Sequence, residues 1–281
     1  MNKGRCFSAP FCIIKTVGTI FAGNTQIVSF NEFERFTSVT NLTAGSSGRK
    51  RGFCDCANLK YLKLPTTLVK ISDGDELSYH CFTNTSIEEL IFPDSVSQVT
   101  AYRGSLFSGM SKLKRIVFGA SYPIIKDEGT AVSTLNVLFK GCSALEQIVL
   151  PEGKYFTIWR TEMFRDCTKL DFTNILNLEH VKRVGANAFF GVTVPNQAKG
   201  IPSVFNMPSL ISINQYVFQQ TNVRQIDLLL PQNYMVTVDN AYRVTFRAIY
   251  VNDDLYDTYR ADANWSKSAS VLHRISEYVE Q

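Results

Sequence analysis

The sequence predicts a β-rich repeat solenoid of about seven coils, with short parallel strands, short helices or turns, and a cap at each end. Three observations predict it. Phe53, Phe82, Phe107, Phe139, Phe164, Phe189 and Phe218 recur at intervals of 25 to 32 residues, and self-similarity on that scale marks a solenoid or array. Each phenylalanine is followed five or six residues later by an aliphatic anchor: Leu59, Ile87, Leu113, Leu145, Leu170, Val194 and Val223. From the anchor, apolar residues at offsets 0, 3 and 5 lead to a proline in Leu59 to Pro65, Ile87 to Pro93 and Leu145 to Pro151, and recur without it in Leu113 to Phe118.

These offsets suit a turn running into a short strand whose alternate side chains face one core. Proline fits the strand's end, where no ladder donor is needed. A second β-branched stretch follows: Val69 to Ile71, Val96 to Val99, Phe156 to Ile158, Val181 to Val184, Ile211 to Ile213 and Val236 to Val238. One coil therefore reads as a turn or short helix around the phenylalanine, a strand, a turn and a second strand. A single coil cannot bury its own apolar edge, whereas a stack of coils can. Coil five (Asp171-Phe172-Thr173-Asn174) and coil six (Val194 to Val204) depart from the frame.

The ends read as caps, giving an N-terminal segment and cap over 1–48, the solenoid over 49–240 and a C-terminal cap over 241–281. Phe30, Phe33 and Phe36 follow the candidate N-cap Asn31 at three-residue spacing, which predicts a short helix laying phenylalanines on the first coil. At the other end Tyr250-Val251 reads as the last strand and Asn252 or Asp253 as a cap. Leu255, Tyr256, Tyr259 and Ala263 then follow helical spacing, and Val271, Leu272, Ile275, Tyr278 and Val279 form a second helical face.

The pattern Phe-x-x-Cys-x-x-Leu-x-x-Ile-x-Leu-Pro, leading into Val-x-x-Ile-Gly-x-x-Ala-Phe, is carried by Gly141 to Pro151 and by Val181 to Phe189. Ser29 to Phe36 and Ile249 to Ser266 add an entry and a closing segment. Over roughly residues 20–281 the chain resembles the BspA-like (Treponema-type) leucine-rich repeat family. The resemblance implies a leucine-rich-repeat array in a bacterial surface or secreted protein, an extracellular or cell-surface location, and binding of host or environmental macromolecules.

Charge and cysteine usage narrow the partners. Residues 1–52 hold seven Lys/Arg against two Glu, a net of +5, so residues 53–281 net −1 (22 minus 23). That is too little positive charge over the repeats for a nucleic-acid stripe. Arg49-Lys50-Arg51 reads as a solvated turn before the first coil, with an anionic partner as the alternative. Seven cysteines (6, 12, 54, 56, 81, 142 and 167) leave at least one unpaired within a monomer. Cys56, Cys142 and Cys167 share one slot, three residues before the anchor, which Met110 fills in coil three. That exchange marks an apolar packing slot. No apolar run reaches the ~20 residues of a membrane span. Residues 6–22 are fairly apolar behind Lys3 and Arg5, but Lys15 interrupts them and no small-residue cleavage site follows. The segment fits a degraded signal peptide or an internally started chain.

No catalytic signature stands out. His80, His180 and His273 are isolated, Gly45 to Lys50 has the wrong spacing for a phosphate loop, and no nucleophile elbow or zinc-protease helix occurs. Asp73, Asp75 and Glu76 flank Gly74 but lack the ligand ladder of a calcium loop, so a rim turn is the expectation. Neither metal nor cofactor is expected. The informative surface is the outward face of the main strands, at offsets 2 and 4: Tyr61 and Lys63, Glu89 and Ile91, Arg115 and Val117, Gln147 and Val149, Gln225 and Asp227. Ile91, Val117 and Val149 would stack into an apolar stripe. Strand propensity alone accounts for such residues, and a binding stripe is the alternative. The candidate binding face is therefore Tyr61, Ile91, Arg115, Val117, Gln147 and Val149. The expectation is a monomeric, non-catalytic adhesion or binding module for a protein or glycan macromolecule. A structural or receptor-binding component of a phage or other large assembly is the alternative, and a glycan-active enzyme would need a carboxylate pair on one face.

Overall fold

The computed structural model describes residues 16–17, 20–43, 52–72, 81–100, 106–121, 138–170, 178–192, 203–214, 216–217, 226–239 and 246–280. The expectations for Cys6 and Cys12, Gly45 to Arg51, Asp73 to Glu76, His80, Asp171 to Asn174, Val194, Phe218, Val223 and Gln225 fall outside these residues.

Strand pairing is parallel throughout, as stacked coils of one handed winding require. The main strands are β2 (Ser29–Phe30), β4 (Tyr61–Leu62), β6 (Glu89–Ile91), β8 (Arg115–Val117), β9 (Gln147–Val149), β12 (Ser203–Asn206), β14 (Ile226–Leu230), β16 (Ala248–Val251) and β17 (Leu272–Arg274). They form three sheets, β2-β4, β6-β8-β9 and β12-β14-β16-β17. The second strands are β1 (Thr16–Val17), β3 (Asn41–Thr43), β5 (Lys70–Ser72), β7 (Gln98–Thr100), β10 (Ile158–Trp159), β11 (Arg183–Val184), β13 (Ser212–Asn214) and β15 (Thr237–Asp239). They form β1-β3-β5-β7 and β10-β11-β13-β15.

Between the two sets lies one continuous core whose axis is a column of phenylalanines. Phe21 stacks on Phe53 and Phe53 on Phe82, with centroids 5.4 and 6.3 Å apart. Further along, Phe107, Phe139, Phe164 and Phe189 stack in succession at 5.6, 5.8 and 5.8 Å. Each of the six described column residues from Phe53 to Phe189 sits in a tight turn. The residue two positions on (Asp55, Asn84, Gly109, Gly141, Asp166 or Gly191) has positive φ, a conformation glycine, asparagine and aspartate tolerate. That geometry points main-chain N–H groups along the solenoid. Phe139 N–H donates to the Met163 carbonyl (2.9 Å) and Gly141 N–H to the Arg165 carbonyl (2.8 Å), and the same pair of bonds joins Phe107 and Gly109 to the next coil. A Cβ at Gly141 would have room, so its φ of 76° is what favours glycine there.

The cysteine slot is apolar and also bonded. Cys56, Cys142 and Cys167 are buried free thiols. Cys142 Sγ donates to the Phe107 carbonyl (3.0 Å) and Cys167 Sγ to the Phe139 carbonyl (3.1 Å), each reaching the preceding coil's phenylalanine. Cys56 Sγ donates to the Phe21 carbonyl (2.9 Å). In coil two, where the anchor is one residue closer, Thr85 stands three residues after its phenylalanine as the cysteines do, but its hydroxyl donates to the Phe82 carbonyl of its own coil (2.9 Å). Burial pushes the Cys142 thiol up to about 12 and Cys167 well above its ordinary value.

Both caps are aromatic, and each differs in detail from expectation. The N-terminal helix is a 3-10 turn, Asn31–Arg35, and Phe30 rather than Asn31 precedes its first residue with no side-chain cap. Phe30 and Phe33 nonetheless pack against each other and against Phe53. At the C-terminus Asn252 caps as expected, its Oδ1 accepting from Asp254 N–H (3.0 Å). Helix α1 (Tyr256–Ala261) buries Tyr259. The second helical face does not form. Trp265–Val271 is 3-10, and Leu272–Arg274 becomes β17, because the edge of β16 takes a further parallel strand. Tyr250-Val251 is thus the last strand but one. Tyr259 and Trp265 hold both polar groups of one residue in the second sheet's flank. Val236 N–H donates to the Tyr259 hydroxyl (2.8 Å), and Trp265 Nε1 donates to the Val236 carbonyl (2.8 Å).

The register makes a direct contrast. Leu145 is fully buried and Gln147 exposed, so Leu145→Ala should cost roughly 2–5 kcal/mol and Gln147→Ala less than about 0.5; denaturant titration would reject the register if both cost the same. The thiols give a second expectation. Cys56, Cys142 and Cys167 should resist a thiol reagent in the folded protein and react in denaturant, with reductant leaving the melting temperature unchanged. Because the folded state holds the Cys142 proton more tightly, its contribution is complete below pH 9 and is lost as pH rises toward about 12. Wild type should therefore lose more stability over that window than Cys142→Thr, whose hydroxyl keeps a donor without titrating.

Candidate functional site

Strand alternation decides which side chains reach solvent in β6, β8 and β9. Leu90, Ile116 and Ile148 are buried, so their neighbours face outward. The parallel register then aligns the outward residues in two columns. One is Glu89, Arg115 and Gln147, and the other is Ile91, Val117 and Val149. Five of the six candidate residues thus share one three-stranded sheet. Ile91 is 50% exposed, and Val117 and Val149 are half-buried beside it.

The polar column is bonded along its length. Arg115 pairs with Glu89 through Nη1 and donates from Nε to Gln147 Oε1 (2.9 Å). A third column, at offset 1, alternates in sign through Lys60, Glu88, Lys114 and Glu146. The spacing made this column legible, but the outward-face reading at offsets 2 and 4 passed over it. Lys114 Nζ lies 2.8 Å from Glu88 and Lys169 Nζ 3.9 Å from Glu146. The hydrogen bond from Lys114 holds the Glu88 carboxyl below its ordinary value, and the same bond raises Lys114. Charges on this face are largely compensated within the sheet, leaving the apolar column as its unpartnered component.

Tyr61 stands apart from the other five. It lies on β4, in the separate β2-β4 sheet, and is 57% exposed. Its side chain lines a groove of about 630 Å³ together with Lys63, Glu89 and Ile91. Lys63 approaches Glu34 at 3.6 Å.

The outward face changes character toward the C-terminus, and the expectation for Asp227 is corrected there. By parity Asp227 points outward, between the buried Ile226 and Leu228, yet it is only 1% exposed. Arg247 on the neighbouring coil grips its carboxylate, with Nε 2.6 Å from Oδ1, and Tyr278 packs edge-on against Tyr250 at 5.1 Å. In register with Asp227 on the neighbouring strand β12, Val204 remains 42% exposed. The histidines are dispersed: His180 stacks on Tyr155 and His273 lies near Glu277. Among the described residues no group of three or more His, Cys, Asp or Glu is placed to hold a metal ion, and no helix is long and apolar enough to cross a membrane.

The family described as BspA type leucine rich repeat region matches the chain in six copies, over residues 26–135, 75–198 and 131–245. Among solved structures the chain is similar to a leucine rich repeat protein of T. pallidum, at 21% identity and TM-score 0.36, covering 58% of this chain and 68% of that one. It is similar to a leucine-rich repeat protein from Bacteroides ovatus at 14% identity and TM-score 0.44, covering 80% and 58%. It is also similar to the pneumococcal vaccine antigen PcpA at 17% identity and TM-score 0.36, covering 85% and 65%. The chain spans less than two thirds of the length of the latter two. No curated protein matches it.

The two arginine pairs should respond differently to truncation. Arg115→Ala breaks an exposed pair and should change stability by less than about 1 kcal/mol, with that change shrinking in salt. Arg247→Ala leaves the buried Asp227 carboxylate uncompensated. It should cost on the order of 2 kcal/mol, below the ~3–5 of a fully buried pair because Arg247 itself is 37% exposed. Thermal melts of both variants in low and high salt measure the difference.

Proposed function

The chain belongs to the BspA type leucine-rich repeat family, and from that premise we propose that it is a non-catalytic binding or adhesion module of a bacterial surface or secreted protein. Its partner is a protein or glycan macromolecule, taken on the outward face of β6-β8-β9, with Tyr61 at one end. The observation that carries this reading is the register of Ile91, Val117 and Val149. It turns three isolated apolar residues into one stripe, and monomeric proteins seldom leave contiguous apolar surface without a partner. Beside it, Glu89, Arg115 and Gln147 are already held by one another. Such pre-ordered polar groups lower the entropy of docking and set register, while the apolar column supplies most of the affinity.

The carboxylates on this face support the non-catalytic part of the reading. Glu34, Glu88 and Glu89 are each paired with a cation, Lys63, Lys114 and Arg115 respectively. A general acid for glycoside hydrolysis needs a raised carboxyl, and Glu88 moves the other way.

An array of glycans and extracellular-matrix proteins, probed with the purified chain, should return at least one partner. Changing Val117 and Val149 together to Lys should leave the melting temperature nearly unchanged, since both point outward, and abolish that binding. Normal binding by the double variant would reduce the stripe to strand propensity.

A further inference from the structure

The main sheet is interrupted between β4 and β6. In the following coils a fixed set of main-chain bonds joins successive main strands. Lys114 and Arg115 N–H both donate to the Glu88 carbonyl (2.7 and 3.1 Å), and Phe92 N–H donates to the Val117 carbonyl (2.9 Å). One coil on, Glu146 and Gln147 N–H repeat the pattern on the Lys114 carbonyl, and Phe118 N–H on that of Val149. The equivalent groups across β4 and β6 are the Lys60 and Ile91 carbonyls and the N–H groups of Glu88, Glu89 and Leu64. They form no such bonds, and the two strands belong to different sheets. The separation coincides with the widest stacked pair in the phenylalanine column, Phe53 on Phe82 at 6.3 Å.

The opening is closed at both ends. On the turn side Phe53 and Asp55 N–H donate to the carbonyls of Cys81 and Thr83 (2.8 Å each), and Ser86 Oγ donates to the Ala57 carbonyl (2.6 Å). On the other side Ser95 Oγ donates to the Leu68 carbonyl (2.7 Å), and β5 pairs with β7. Pinned at one strand spacing of ~4.8 Å on either side, the slit admits neither a further peptide strand nor a sugar ring between its walls, each needing about twice that width, so a ligand is held over its mouth. Its mouth is the groove of about 630 Å³, within the ~300–1,000 Å³ range of small-ligand sites.

The lining fits a neutral ring that carries hydroxyls. Tyr61 offers an aromatic face at 57% exposure, with Ile91 opposite at 50%. Open main-chain donors and acceptors alternate along the slit. Its three carboxylates are each paired with a cation and Lys60 adds one further positive charge, so no cluster of like charge selects a polyanionic ligand. We propose that the groove at the mouth of the slit seats one neutral hexose or N-acetylhexosamine ring of a glycan, its C–H face against Tyr61 and its hydroxyls on the open main-chain groups of Lys60, Leu64 and Glu89 along the slit's edge. This deepens the reading of the outward face as a binding surface, and rests on it.

Saturation-transfer NMR tests the slit on the intact chain, with glucose, galactose, mannose, N-acetylglucosamine and N-acetylgalactosamine as probes and sialic acid as the charged control. Transfer to the ring protons of at least one neutral sugar is expected. Tyr61→Ala should weaken it about tenfold, the scale of one lost aromatic contact, and Tyr61→Phe should retain it. Tyr61→Leu, which keeps the bulk and removes the ring face, gives the same test should the alanine variant melt early. The Val117→Lys, Val149→Lys variant separates the two readings. Sugar transfer that survives it and disappears in Tyr61→Ala supports the slit, whatever the stripe does. Transfer lost in the double variant but kept in Tyr61→Ala puts binding on the stripe and overturns the slit. Silence from every neutral sugar, or preference for sialic acid, overturns it as well.

Discussion

The phenylalanine column and the positive-φ turn that carries it set the geometry on which the rest of the molecule depends. Strands in adjacent coils are separated by ~4.8 Å, and flat rings translated by that amount and slightly offset sit with centroids near the observed 5.4 to 6.3 Å. Ring stacking and strand pairing therefore ask for the same translation. The turn contributes directional bonds to that agreement, because the positive-φ residue aims its N–H at the next coil. The cysteine slot adds a thiol donor back to the preceding coil. Interactions in three chemical classes thus reinforce one repeat distance.

A stack of this kind has two open ends, and here aromatic side chains close both. The N-terminal end uses Phe30 and Phe33 purely as apolar surface. The C-terminal end uses Tyr259 and Trp265, large apolar bodies with one polar atom each, and both polar atoms converge on Val236. The difference follows from what must be covered. At the C-terminal end a bend in the chain exposes a main-chain donor and acceptor, and burying them under phenylalanine would leave both unsatisfied, at ~1–3 kcal/mol each.

The outward face divides into two regimes. Toward the C-terminus, Arg247 and the Tyr250–Tyr278 contact cover Asp227, so that part of the sheet is engaged by the chain itself. Over β6-β8-β9 the polar column is bonded laterally and the apolar column is left to solvent. An interaction surface is consistent with the second arrangement and poorly served by the first, since ligand binding there would have to displace an existing ion pair.

Much of this was legible in the sequence because the signal is local and repeated. The spacing of the phenylalanines determined the coil period, the offsets of Leu62, Leu90, Ile116 and Ile148 determined strand parity, and the C-terminal cap was narrowed to Asn252 or Asp253. A residue's inward or outward sense needs only its neighbours in the same strand. Other features were decided by contacts between residues 20 to 35 positions apart, for which no local pattern exists. Leu272 carries an equally good helical or strand pattern, and the free edge of β16 settles it as strand. Asp227 has outward parity, and Arg247 with the tyrosines beyond it makes it buried. Cys142 reads as a small apolar residue, and only the Phe107 carbonyl beside it reveals a donor. The slit between β4 and β6 leaves no trace in sequence at all, since Leu59 to Pro65 and Ile87 to Pro93 follow the same frame. Sequence by itself determined the repeat and the side chains it presents; the tertiary structure alone decided where adjacent coils meet and where they part, because that depends on how pairs of coils pack and not on either one.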